Sequence, residues 1–168
     1  MAMKAQLLEQ FEGWVHFLEE LTELDWNVPL AEGKWTIHDV VSHMYLWDQY
    51  FLEEAIIPIS KDTPLTVQHL DFDAFNKKAM EIGSAKSKRE VTELSRHYRQ
   101  AIVREIRGQD EQKFSRAYVD GDGKPFVVEK YLRDFLWHDQ HHMNQIESWR
   151  AARNGAEDGQ QAERNGNG

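Results

Sequence analysis

The strongest constraint on this chain is the spacing of its apolar residues. Leu7, Phe11, Trp14, Val15, Leu18 and Leu21 recur at intervals of three and four. That periodicity places them on one stripe of an amphipathic helix running from Gln6 to Leu24, and on no single face of a strand. Asn27, Pro29 and Gly33 end it. Thr36-Ile37-His38-Asp39 then reads as a helix start, with Thr36 capping and Asp39 answering at the third helical position. The helix it opens carries Val40, Val41, His43, Met44, Trp47, Phe51 and Leu52 and extends to about Ile57. Ser87-Lys88-Arg89-Glu90 is a second capping box, ahead of Val91, Leu94, Tyr98, Ala101, Ile102 and Ile106, with Gly108 as the stop. A last long helix is expected from about Val127 to Arg153.

The connections complete the architecture. Pro58 and Pro64 mark an irregular stretch, PISKDTPLTVQHLD, too long for a tight helix hairpin and suited to a crossover between helices on opposite sides of a bundle. Phe72–Ile82 is expected as a short helix broken near Gly83. Asp120-Gly121-Asp122-Gly123 is a turn signal, and Tyr118 and Val119 before it can pair with Phe126 and Val127 after it. The same two aspartates do not start a calcium loop, because the later acidic ligands are absent. The fold class is therefore all-α: a four-helix bundle with a long crossover connection between helices 2 and 3. It occupies residues 1–153, and residues 154–168 form a polar tail expected to be disordered.

Composition narrows the function classes. The formal net charge is -9, and basic residues are interleaved with acidic ones, as in KSKREVTELSRHYR. Phosphate backbones require clustered Lys and Arg, so a nucleic-acid partner is not expected. There is no cysteine, which removes disulfides, thiolate ligands and a cysteine nucleophile, and fits a reducing cytoplasm. The first residues, MAMKAQLLEQFEGW, meet acidic side chains too early for a signal peptide. No apolar run approaches the ~18 residues of a membrane span. The expectation is a cytoplasmic protein without a membrane partner.

The stretch WHDQHHMNQI holds three of the eight histidines. On a helix His138 and His142 lie about 40° apart, one turn above the other, and their rings can converge. His141, about 60° to the far side of His138, points elsewhere. Two imidazoles spaced four apart grip a transition metal when another element supplies a further ligand. His43 qualifies: it sits on the apolar face of its helix between Val40 and Trp47, where an unpaired histidine is costly to bury. Three neutral nitrogens with open positions suit Zn, Ni or Fe(II). The competing reading is that these are core-edge histidines satisfied by Asp39 and Asp134, each one turn before a candidate ligand. Tyr131, Gln145 and Trp149 fall near the His138–His142 line, and Trp47 and Trp149 can wall a substrate pocket; the other tryptophans read as core and cap packing. His138-Asp139-Gln140-His141-His142 also resembles the HExxH pattern, with Asp139 as a shortened candidate base.

These residues have a family likeness. GKWTIHDVVSHMYLWD followed later by WHDQHHMNQI resembles the DinB/YfiT-like superfamily of bacterial four-helix-bundle metalloproteins, over roughly residues 1–152. Two features carry the match: a Trp-Thr helix start with a histidine seven residues beyond that Thr, and HDxHHxxQI near the domain's end. The resemblance implies a left-handed-crossover bundle, often a homodimer, with a divalent metal on His43, His138 and His142. It also implies that His141 and Gln145 belong to the pattern without being ligands.

Three functions follow as expectations. The first, drawn from the resemblance, is a thiol-dependent S-transferase that acts on a small electrophilic substrate with a low-molecular-weight thiol such as bacillithiol or mycothiol. The second is a metal-dependent hydrolase with Asp139 or a pocket residue as base. The third is a non-enzymatic metal-binding protein of a stress response. Asp139 lies about 100° from His138, which counts against the second.

Overall fold

Thr36 and Ser87 start their helices as the sequence requires. Each side chain accepts from the backbone N–H three residues on, and Asp39 and Glu90 return the bond to the cap's own N–H. The computed structural model describes the backbone of residues 2–166 and the side chains of residues 3–155. The four long elements are α1 (Ala2–Glu20), α2 (Ile37–Phe51), α5 (Lys88–Gly108) and α7 (Val128–Gly166). α5 packs on both α1 and α2, and α1 packs on α7. This is an all-α four-helix bundle. Among the described residues no helix is long and apolar enough to cross a membrane.

Several boundaries differ from the sequence reading. α1 stops at Glu20; the following residues form tight turns, and the Trp26 indole N–H caps the Leu21 carbonyl at 2.9 Å. α2 does not end at Ile57. It passes through a π-helical turn at Leu52–Ile56 into α3 (Ile57–Ser60). Pro58 lies inside this run and has no N–H to offer the Glu54 carbonyl. That carbonyl instead accepts from Thr66 and Val67 of the crossover, at 3.0 and 3.1 Å. The missing helical bond thereby fastens the crossover, whose Leu65 and Val67 are buried. α3 closes with Asp62 in the left-handed region (φ 57), a conformation aspartate tolerates, and with Thr63 N–H returning to the Pro58 carbonyl.

α4 (Phe72–Ser84) runs through Gly83 rather than breaking there. The glycine is needed for approach, not for a stop: a Cβ at Gly83 would fall inside the Ser42 side chain of α2. A short helix, α6 (Glu111–Ser115), was not anticipated. It precedes the expected hairpin of β1 (Tyr118–Val119) and β2 (Pro125–Phe126), where Tyr118 pairs with Phe126 and Val119 with Pro125. Val127 thus lies outside the ladder. The α7 backbone continues past Arg153 to Gly166. The side chains of the predicted tail beyond Gly155 lie outside the described residues.

The core divides into two apolar clusters. One gathers Leu8, Phe11, Ile56, Ile102, Phe114 and Leu132 with their neighbours; the other gathers Trp14, Leu18, Ile37, Val41, Met44, Val91 and Ile146. Each large aliphatic side chain buried in them is worth ~1.5–3 kcal/mol. On α2, α5 and α7 the residues between the two clusters are charged: Asp48, Arg99 and Asp139, all buried.

Candidate metal centre

The Thr36 cap fixes where α2 begins, and two turns later His43 faces inward between Val40 and Trp47, fully buried. α7 brings His138 and His142 to the same place. One nitrogen from each of His43, His138 and His142 falls within 4.8 Å of the other two. Ring centroids lie 5.4 Å apart for His43–His138, 4.7 Å for His43–His142 and 4.6 Å for His138–His142. The structure thus brings together the three histidines that the sequence named as candidate ligands. His141 faces away, exposed, its ring stacked on the exposed Trp137 at 5.6 Å.

The protonation states suit a ligand set. Burial lowers all three imidazoles: His43 well below its ordinary value, His138 to about 3 and His142 to about 4. Mutual repulsion adds to the shift at His43 and His138. All three are therefore neutral at pH 7. The Nε2 atoms of His138 and His142 face each other at 3.3 Å. On the far side of its ring His142 Nδ1 meets the Gln145 side-chain oxygen at 3.0 Å. Donation there puts the His142 proton on Nδ1 and leaves the Nε2 lone pair turned into the cluster. His43 Nδ1 and His138 Nδ1 are buried without a well-formed hydrogen bond. A cation among the converging nitrogens would take the lone pairs that now face one another. The residues fit a divalent metal bound through imidazole nitrogen.

The alternative of ordinary core-edge histidines loses its proposed partners. The Asp39 carboxylate is engaged by the Thr36 backbone N–H at 3.1 Å. Asp134 is exposed and pairs with Lys130 at 2.8 Å.

Other expected site residues scatter. Gln145 supports His142, as described. Trp149 lines a cavity of about 910 Å³ that opens beside His142 and is bounded by Leu30, Lys34, Trp35, Gln145 and Arg153. Trp47 does not wall this cavity; its ring stacks on Phe75 at 3.8 Å and its N–H donates to Asn76 at 2.8 Å. Tyr131 belongs to the opposite apolar cluster, among Phe11, Phe51 and Phe135. Asp139 is not placed to act as a base. Arg99 holds it bidentately, at 2.6 and 3.0 Å, in the bundle interior.

Two features escaped the sequence reading. Trp35, assigned to packing, covers the histidines: its ring stands edge-on to His43 at 4.7 Å and parallel to His142 at 6.3 Å. It is delivered by a tight loop in which Leu30 N–H bonds to the Trp35 carbonyl and Lys34 N–H to the Ala31 carbonyl, with Gly33 left-handed at φ 69. The second is the Asp48–Arg99–Asp139 cluster. Its signal was present, because Asp48 lies four residues beyond Met44 and Arg99 three before Ile102, each on an apolar stripe. A charge in that register needs an opposite partner.

Comparison with known proteins agrees with this architecture. The family model described as the DinB superfamily matches residues 6–146. The solved structure of YfiT from Bacillus subtilis, described as a probable metal-dependent hydrolase with an unusual four-helix bundle topology, is similar with a TM-score of 0.73. The two share 18% sequence identity, over 90% of this chain and 87% of that one. No curated protein matches by sequence.

Proposed function

The chain belongs to the DinB superfamily, and from that premise we propose that it is a metal-dependent enzyme of the thiol-dependent S-transferase type. His43, His138 and His142 would hold a divalent ion, Zn, Ni or Fe(II), through their imidazole nitrogens. A low-molecular-weight thiol such as bacillithiol supplies the sulfur nucleophile, consistent with a chain that has no cysteine of its own. The ion supplies Lewis acidity, which favours the thiolate form at neutral pH. The protein's part is to hold three imidazoles neutral and convergent, and to exclude water with the Trp35 indole. Trp149 and its neighbours would seat a small electrophile.

The observation that carries this reading is the convergence of three neutral imidazole nitrogens within 4.8 Å at the end of a ligand-sized cavity. The solved relative's description favours a second reading, metal-dependent hydrolysis. Water as nucleophile calls for a positioned base, yet among the described residues no Asp or Glu lines the cavity and Asp139 is engaged by Arg99. A thiolate needs no such base. Non-enzymatic metal binding in a stress response is the third reading.

Metal analysis of the purified protein, followed by a turnover screen of electrophiles with and without thiols and of esters and amides, separates the three. Thiol-dependent turnover that vanishes on chelation and returns on metal addition is expected. Ester or amide turnover without thiol would replace it with hydrolysis, and metal without turnover would leave the non-enzymatic role. We further propose a cytoplasmic homodimer covering Trp137, which is 71% exposed in the single chain. A monomeric mass at micromolar concentration overturns the dimer.

A further inference from the structure

The cavity beside the histidines has a charge character opposite to that of the whole chain. Acidic residues outnumber basic ones 29 to 20, yet among the described residues the lining contains Lys34 and Arg153 and no carboxylate. Among the described residues neither cation is paired with a carboxylate. The Arg153 guanidinium lies over the Trp149 ring, 4.8 Å from its centroid, which sets the charge above an apolar wall. Lys34 rises from the Gly33 turn, one residue before Trp35, so the loop that covers the histidines also presents a cation. Leu30, Trp35, Trp149 and Ala152 supply apolar surface between the charged positions and His142. A volume of about 910 Å³ is within the range of small-molecule sites.

We propose that this cavity selects an amphipathic anion: an apolar or aromatic body lies along Trp35 and Trp149, and a carboxylate or phosphate at one end meets Lys34 and Arg153. The other end of such a molecule reaches His142, so this inference names the substrate class for the site proposed above and rests on that reading for its reactive end. Binding of the anion does not require the metal. The cations set selectivity for charge, and the indoles set affinity for the body. The contribution of two exposed cations amounts to roughly a five- to ten-fold preference for an anion over its neutral isostere, and it shrinks as salt is added.

The test is titration calorimetry on chelated and on metal-loaded protein with three probes: 1-naphthylacetate, 1-naphthylacetamide and 1-naphthyl phosphate. On the chelated protein the acetate is expected to bind roughly five- to ten-fold more tightly than the amide. Lys34→Gln with Arg153→Gln is expected to abolish that preference and leave the amide's affinity in place. Trp149→Ala weakens all three probes and keeps the ratio. The acetate-to-phosphate ratio identifies the head group. Equal affinity for acetate and amide, or a preference that survives in the double variant, overturns the proposal. So does a protein that binds one metal per chain and none of the probes, and that result leaves the metal reading standing. Anion preference in a protein that binds no metal has the reverse meaning.

Discussion

His138 and Asp139 are neighbours on α7, yet they enter two different polar clusters. Asp139 turns into the bundle and meets a guanidinium whose five N–H donors are all used: Nε to Asp48, Nη1 to Asp139 and the Phe11 carbonyl, Nη2 to both carboxylates. His138 turns to the cluster with His43 and His142, where the Nδ1 atoms of His43 and His138 have no well-formed hydrogen bond. A satisfied buried network joins four helices and has no valence left for a ligand. An unsatisfied one, beside a cavity, is where an outside atom is wanted. The contrast separates structural polarity from functional polarity on one helix.

The sharpest way to break this comparison is to disarm the satisfied cluster. Arg99→Met strands two buried carboxylates and should cost about 3–5 kcal/mol in urea unfolding. Adding Asp48→Leu and Asp139→Leu should recover most of that loss, because an apolar layer of similar volume needs no partners. If the triple variant instead loses metal while remaining as stable as wild type, Arg99 serves the histidines and the two clusters are not separable. The next largest effect is expected at the ligands. His43→Ala, His138→Ala and His142→Ala should each abolish stoichiometric metal, whereas His141→Ala should retain it; metal per chain after gel filtration decides. Gln145→Leu removes only the bond that orients His142, and should weaken metal affinity by roughly 10–100-fold.

Acid sharpens the comparison further. In the metal-free protein the three imidazoles titrate below their unfolded value of ~6.5, so the unfolded chain binds more protons in that window. Stability from this source is complete above about pH 6.5 and is lost as pH falls through the His142 and His138 values of about 4 and about 3. Asp48, raised by burial to about 6, and Asp139, also raised by burial, act in the opposite sense. Three imidazoles outweigh these two carboxylates, and the urea midpoint of metal-free protein should fall between pH 7 and pH 5. That fall should be smaller in His43→Ala. The smallest effect is expected on the fold at neutral pH: chelation should leave helical circular dichroism nearly unchanged and lower the melting temperature by only a few degrees. Global unfolding on chelation would make the histidine cluster structural after all.

Much of this was legible in the chain. Both capping boxes, the long crossover and the inward histidine of α2 follow from spacing alone, because they are local or periodic. What failed was depth. Tyr131 and Trp47 lie at suitable angles around their helices, but a helical projection discards axial distance: Tyr131 is seven residues before His138, about 10 Å along α7. The partner of Asp139 was hidden because salt-bridge pairing across helices has no sequence spacing. Trp35 was missed because it belongs to a loop, where no periodicity assigns a direction. Pro58 looked like a helix end because the π turn and the crossover that satisfy Glu54 are a tertiary solution.

The position of Trp35 gives the protein an internal optical gauge. An indole edge-on to His43 and parallel to His142 would share its surroundings with an ion bound by those rings. Ni(II), Fe(II) and Cu(II) have partly filled d shells that drain an excited indole over distances longer than these, while closed-shell Zn(II) does not. Emission lost in wild type but not in Trp35→Phe therefore reports occupancy and the electronic class of the ion together, in unlabelled protein and in real time.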